Sequence, residues 1–535
     1  MPTDRRVLTE TLEARRLCAA NYPFAFGGGG FDNAQETVQT RQGDVIVTGQ
    51  FSGTTNFARP GQRAAVLTAR GDTDLFVASY AARGTLNWAI RMGGDYHSDV
   101  MDDFSKRDVQ LSQNRFSRYV GRIGGQARGA GEYVNDLAVD TSGNIYLAGS
   151  FRESFKAGRF NLTADQTFTS SFQDAVVMKI DTTGVVTWAQ RFGGAFDDAA
   201  LSLGLDAAGT PTIGGYYSRE ADFDPGRARQ TLRTEGRDAG FVLRLSPVNG
   251  SFSWVYQFES DAIGTDERNA VNDLVVTRRG EVYFAGSYAS DADFLPGRSE
   301  YVLESRGKTD AFVAKLSRKG ALVWAQSTGG GEYDANSSIA LAADGSVYTA
   351  GYFSDEADVD PRAGVETIYE AVSDGDRDSE FSDLLVTKLT ADGTPVWINQ
   401  IGGEYIETIA DLTVDRAGDI YVTGSFFNQI DLAPGRPRFL LESTRVNGES
   451  IKDNNTRFGR NESYDWFVSK LSPRGKFVAG AKFGGADDDY SSSLTPLFDG
   501  TLLLSGRAVN ARPRDRDDRQ EQALIQLLAP DLSIL

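Results

Sequence analysis

One unit recurs along the whole chain, and a repeat of this length constrains the fold more than any other feature of the sequence. Its clearest copy, DAVVMKIDTTGVVTWAQRFGG from Asp174 to Gly194, has a leading aspartate, an alternating apolar run, a turn glycine, a tryptophan and a Gly-Gly pair. The leading aspartates are Asp74, Asp174, Asp238, Asp310, Asp383 and Asp465, followed by turn glycines Gly84, Gly184, Gly250, Gly320, Gly393 and Gly475. Trp88, Trp188, Trp254, Trp324 and Trp397 each lie four residues beyond their glycine, and Ala479 takes that place in the sixth copy. The Gly-Gly pair begins at Gly93, Gly193, Gly329, Gly402 and Gly484, and Glu259-Ser260 replaces it in the third copy.

A second pair of apolar runs precedes each unit, as in DLAVDTSGNIYLAGSF, where a short Ser-Gly turn separates two strand-like stretches. Its glycine recurs at Gly49, Gly149, Gly215, Gly286, Gly351, Gly424 and Gly506, which makes seven units. Four short strands per unit are the content of one propeller blade, so the expected fold is all-β, a seven-bladed β-propeller of four-stranded antiparallel blades. The last unit ends after its third strand, at Ala523 to Leu528, whereas YPFAFGG at Tyr22 to Gly28 aligns with a tryptophan strand, with Tyr22 in the tryptophan place. The N-terminal strand is therefore expected to complete the last blade and remove a free sheet edge. The tryptophans and Tyr22 are read as packing between blades, because a flat ring at a fixed place in each outer strand buries much area.

With these residues the chain resembles the bacterial SBBP-type seven-bladed β-propeller repeat family, whose units read like GGxxDDxAxxLAVDxxGNIYVTGSF and DAFVAKLDxxGxxxWAxxFGG. The resemblance spans residues 21–535 and implies the fold; it brings no catalytic residues. Gly-x-x-x-Trp also resembles the tryptophan-docking repeat of quinoprotein propellers, without a quinone-binding signature. Leu12 to Cys18, LEARRLC, resembles the LEPR-XLL segment of large bacterial surface or exported proteins, with Ala14 in the proline place and Cys18 in that of the last leucine. That likeness implies export or a cell-envelope location, with residues 1–20 as a targeting-like or disordered segment and 21–535 as one propeller domain. Loop insertions are expected near residues 95–133, 354–382 and 428–464.

Composition narrows the chemistry. A net charge of −19 opposes phosphate backbones and anionic lipid, so nucleic acid is not an expected partner. One cysteine, Cys18, and one histidine, His97, leave no room for a disulfide framework, a Ser-His-Asp triad or a multi-histidine zinc centre. His97 sits among Asp95, Asp99, Asp102 and Asp103 and reads as a surface-loop residue. No stretch approaches the 18 apolar residues of a membrane-spanning helix, and the N-terminus lacks the apolar run of a conventional signal peptide.

Connections on one face of such a disc are tight turns, whereas those on the other are long and acidic. The blade-to-blade loops contain Asp197-Asp198, Glu332-Tyr333-Asp334, Glu404 to Glu407 and Asp487 to Asp489. Between second and third strands lie Asp222 and Asp224, Asp291 and Asp293, and Asp355, Asp358 and Asp360, with Pro-Gly at 225–226 and 296–297 suited to type II turns. Alternating aspartates offer the hard oxygens that Ca²⁺ prefers, and these seven are the candidate metal ligands; solvated turn acids account for the same letters. The expected function is a non-enzymatic binding scaffold, a monomeric propeller or part of a surface assembly, meeting a protein, glycan or cation on its acidic face. The alternative is a carboxylate-dependent glycan lyase or hydrolase, which needs no histidine.

Overall fold

A computed structural model describes residues 8–9, 24–27, 31–95 and 131–535, apart from 60, 83, 166, 168–171, 225, 227, 261–267, 298–299, 361–366, 372–381, 404–406, 434–436, 445–463, 486–488 and 511–519. Tyr22, His97, Cys18 and the Leu12 to Cys18 segment lie outside the described residues, as does most of the 95–133 insertion. The described chain is all-β, with seven antiparallel blades in a ring.

The first strands of the blades are Asp32–Gln39, Glu132–Val139, Ala199–Leu205, Ala270–Val276, Ala335–Leu341, Glu407–Val414 and Tyr490–Pro496. Each of them contacts the first strand of the next blade, blade 7 returning to blade 1, so together they line the axis. The outermost strands of blades 1 to 6 are Leu86–Met92, Val186–Phe192, Phe252–Ser260, Leu322–Gly330, Pro395–Gly403 and Phe477–Phe483. In blade 7 that place belongs to Phe24–Phe26, which pairs antiparallel with Gln520–Leu528 at Phe24↔Ile525, Ala25↔Leu524 and Phe26↔Ala523. A two-residue strand, Leu8–Thr9, lies parallel to the outer strand of blade 6.

Apolar residues on the blade faces meet between blades, and every junction has its own buried cluster. Phe26, Phe51, Phe76, Leu503 and Ile525 fill the junction from blade 7 to blade 1, for example, and Phe241, Leu243, Tyr146 and Trp188 that from 2 to 3. The core is thus a circle of interfaces, in which each blade depends on its two neighbours for burial. The repeat tryptophans pack between blades. Trp88 lies over Gly184, Trp188 over Gly250, Trp254 over Gly320, Trp324 over Gly393 and Trp397 over Gly475, each ring on the turn glycine of the next blade. A Cβ at Gly184 would stand 2.9 Å from the Trp88 ring. Trp88, Trp188 and Trp397 also donate their indole N–H to carbonyls of the same turns, at Thr182, Pro247 and Pro473.

The expected four strands per blade are supplemented by a small hairpin after the second strand of each of blades 1 to 6. It comprises Thr54–Asn56 with Val66–Thr68, Ser154–Ala157 with Phe160–Thr163, and, in blade 3, the extended ends of Pro211–Asp222 and Thr231–Leu245. The copies in blades 4, 5 and 6 are Ala292–Asp293 with Val302–Leu303, Glu356–Asp358 with Ile368–Glu370, and Gln429–Asp431 with Leu440–Glu442. The insertions expected near 354–382 and 428–464 therefore contain a regular part of the blade, and the 95–133 stretch ends where the strand from Glu132 begins.

Candidate functional site: the loop-bearing face and its acids

The small hairpins determine what the candidate calcium ligands do. Asp222 Oδ1 accepts the backbone N–H groups of Asp224 and Gln230, at 3.1 and 3.0 Å. Asp293 does the same for Leu295 and Tyr301, Asp358 for Asp360 and Thr367, and Asp431 for Ala433 and Phe439. In blade 1 the residue is Asn56, bonded to Ala58 and Ala65. An uncharged amide in the same role shows that the position calls for an acceptor to cap the hairpin loop, the Asx-turn use of these residues. Asp224 accepts the N–H of Gly226 and Asp291 that of Ser305. Asp360 is buried at 3% exposure, whereas Asp355 is exposed with φ +59°. The structure distributes these seven aspartates over blades 3, 4 and 5, and among the described residues no three His, Cys, Asp or Glu side chains group as metal ligands. Gly297 has the positive φ, +79°, expected of its turn; Gly226 does not.

The blade-to-blade acids depart further from expectation. Asp198, Asp334, Glu407 and Asp489 are each 1% exposed, so they are interior residues rather than part of a charged rim. Asp198 Oδ2 accepts the N–H of Gly194 at 2.7 Å, and its Oδ1 accepts that of Ser218 at 3.1 Å. Asp334 bonds Gly330 at 2.7 Å and Ser354 at 3.2 Å, and Asp489 bonds Gly485 at 2.6 Å. Glu132 reaches Gly94 at 2.6 Å. In blades 2, 3, 5 and 7 an acid at the head of the first strand thus fastens the end of the preceding blade.

The Gly-Gly pair makes room for this lock. A Cβ on the first glycine would collide with the leading aspartate beneath it, Asp74 under Gly93, Asp310 under Gly329 and Asp465 under Gly484, and these glycines have φ of +150°, +159° and +144°. A Cβ on Gly94, Gly194, Gly330 or Gly403 would strike the carbonyl of Ser154, Glu220, Glu356 or Gln429, where the next blade's hairpin is laid against the junction. The leading aspartates are 0–1% exposed. Arg91 lies 3.3 Å from Asp74, Arg191 2.7 Å from Asp174 and Lys482 2.8 Å from Asp465.

Burial dominates the electrostatics of these acids, since a charged carboxylate loses its water there. Desolvation pushes Asp174 up to about 7 against the pull of Arg191, and Asp74 up to about 6 against its hydrogen bond from Arg70 and the charge of Arg91. Glu132 rises to about 8, burial outweighing the Gly94 bond. Asp198, Asp334 and Glu407 are held well above the ordinary range for the same reason. A readable signal for the locks existed: Asp198, Asp334, Glu407 and Asp489 all stand four residues after the second glycine, a constancy that solvated acids have no reason to keep.

Acids that do remain at the surface of this face include Asp291, Asp355 and Glu356, with Asp197 and Glu332 partly exposed. Glu404, Asp487 and Asp488 lie outside the described residues. No helix among the described residues is long and apolar enough to cross a membrane.

Comparison with known proteins finds distant likenesses. An uncharacterized WD repeat-containing protein of Acanthamoeba polyphaga mimivirus is 18% identical over 437 residues, 69% of this chain but only 30% of that protein's length. Among solved structures, a protein of unknown function from Dyadobacter fermentans matches 74% of this chain and 94% of its own at 12% identity and a TM-score of 0.35. The WD40 repeats of RRP9 match 75% and 96% at 10% identity and a TM-score of 0.30. The model of the SBBP family, a beta-propeller repeat, matches residues 115–150 and 396–425, whose described parts fall in blade 2 and across blades 5 and 6. The chain is a seven-bladed β-propeller, two segments of which match the SBBP repeat model.

Proposed function

We propose that the protein is a non-enzymatic binding scaffold of the exported or cell-envelope kind, which meets a protein or glycan on its loop-bearing face. The observation that carries this reading is the inequality of the two faces. One is made of short glycine turns such as Asp140 to Asn144, where Gly143 N–H closes on Asp140 and φ is +86°. The other holds the six hairpins, their connecting loops and the exposed acids, and recognition surfaces concentrate on such loops over a rigid frame. The burial of the repeated carboxylates favours binding over catalysis. Asp174 with Asp198, and Asp310 with Asp334, stand together beneath Gly193 and Gly329, sealed from any sugar that a glycosidase pair would need to touch.

The test is a screen of the purified chain against polysaccharides and envelope extracts, repeated with the exposed residues Asp291, Asp355 and Glu356 changed to alanine. Binding without turnover, weakened in a triple variant that keeps the wild-type circular dichroism, is the expected result, with about 1 kcal/mol of stability lost at Asp355, whose left-handed backbone alanine tolerates poorly, and at Asp291, which caps Ser305. Turnover of a polysaccharide, or binding indifferent to the three changes, would overturn it.

A further inference from the structure

A second set of acids lies on the axis, where neither the junction locks nor the loop-bearing face accounts for it. Each first strand contains a bulge, and the residue just after it is Glu36, Asp136, Ser202, Asp273, Ser338, Asp411 or Ser493 in blades 1 to 7. Four carboxylates and three hydroxyls therefore form one ring. The acids are half-buried rather than sealed, so they border the axial channel.

Three of them bridge blades. Asp136 accepts the N–H of Leu137 in its own strand, at 2.6 Å, and of Leu203 in blade 3, at 2.5 Å. Asp273 accepts Leu274 at 2.7 Å and Ile339 of blade 5 at 2.8 Å. Asp411 accepts Leu412 at 2.7 Å and Leu494 of blade 7 at 2.8 Å. The Ser338 hydroxyl stands between Asp273 and Asp411, 3.1 and 3.4 Å from each. Among the described residues Glu36 makes no such backbone bridge; its neighbour is Ser493.

The groups facing the ring from the other first strands are the three serines, none of which brings charge, and no lysine or arginine forms an ion pair with any of the four acids among the described residues. Glu36 feels Asp411, Asp136 and Asp273, and Asp136 feels Asp273 and Asp411, all repulsively. Like charges that share a site cannot all ionise at once without a cost.

We infer that the ring is a proton-operated collar: protonated, it leaves the bridges from Asp136, Asp273 and Asp411 to hold the innermost strands together unopposed, and deprotonated, it loosens them by repulsion across the channel. Charging strengthens each bridge taken singly, but repulsion acts among all four acids and burial opposes every charge. Burial and neighbouring carboxylates push Asp273 up to about 7, and burial pushes Asp411 up to about 6, which places the transition at mildly acidic to neutral pH. Because the folded-state values are raised, this stabilisation is complete below the unfolded carboxylate range and is lost as pH rises through the folded values.

Hydrogen exchange of the full chain tests the collar. Protection of the Leu203, Ile339 and Leu494 amides, corrected for the intrinsic pH dependence of exchange, should be about tenfold greater at pH 5.5 than at pH 8, the equivalent of one pKa unit at one site. Glu36→Gln removes one repelling charge and no backbone bridge, and should bring protection at pH 8 toward the pH 5.5 value. Asp174→Asn, a junction residue away from the axis, should leave the pH ratio of the three amides unchanged. Equal protection at both pH values, or the wild-type ratio in Glu36→Gln, would overturn the proposal. So would protection at pH 8 that appears only with added calcium, since a bound cation would then be holding the ring. Should Glu36→Gln fold poorly, Asp273→Asn followed by thermal unfolding between pH 5 and 8 tests the collar instead: a reduced pH slope supports it and an unchanged slope overturns it.

Discussion

The junctions from blade 4 to 5 and from blade 3 to 4 solve one problem with opposite polarity. At the first, Gly329-Gly330 offers an N–H and the Asp334 carboxylate accepts it. At the second, Glu259-Ser260 replaces the glycines and Asn269 replaces the acid. Asn269 Oδ1 still accepts the N–H of Ala289 just past the second strand, as Asp334 does for Ser354, but its Nδ2 now donates to Ser260 Oγ at 2.9 Å and to the Asp238 carbonyl at 2.8 Å. The amide matches the reversed partners. A cation supplies what is missing: Arg268 lies 3.7 Å from Asp238 and 3.4 Å from Asp197, over the Tyr216 ring. The two junctions together show that hydrogen-bond complementarity, and not negative charge as such, is what the position demands.

The sharpest way to break the glycine version is Gly329→Ala, which places a methyl against Asp310 at a φ that L-residues rarely adopt. Loss of about 3 kcal/mol, measured by denaturant unfolding, is expected from overpacking and backbone strain together. Exchanging the polar residues should come next. Asn269→Asp turns an acceptor toward the Asp238 carbonyl, and Asp334→Asn turns an amide donor toward the Gly330 N–H. Each is expected to cost about 1–3 kcal/mol, the range for a buried group left without its partner, and Asn269→Asp should recover part of its loss at low pH while Asp334→Asn should not. If both exchanges proved neutral, the polarity argument would fail.

Much of this frame was legible in the sequence, because each blade repeats its punctuation: leading aspartate, turn glycine, tryptophan and Gly-Gly pair. The pairing of Phe24–Phe26 with the last strands followed from counting those marks. The small hairpins were not legible, since strands of two to four residues are too short for alternation to stand out, and their aspartates read as loop acids or metal ligands. Asp198 and Asp334 were misplaced for a related reason. A buried acid and a solvated one are the same letter, and only the fixed distance from the glycines separated them. The axial ring was hidden by its bulges, which shift register by one residue and so decide which of two neighbouring side chains borders the channel.

The claim beneath all of this is that the acids repeated at the junctions are interior, so that burial keeps carboxyls such as Asp174 and Glu132 protonated well above the ordinary carboxylate range, which infrared difference spectroscopy of the carboxyl stretch reads directly. A protonated-carboxyl band should be present at pH 7, fade as pH rises through about 7 to 8 where Asp174 and Glu132 lose their protons, and shrink in Glu132→Gln. Over the same interval thermal stability should fall, because groups with raised folded-state values stabilise only while they hold their protons. A spectrum at pH 7 with every carboxyl ionised, together with stability that rises from pH 6 to 8, would contradict the claim.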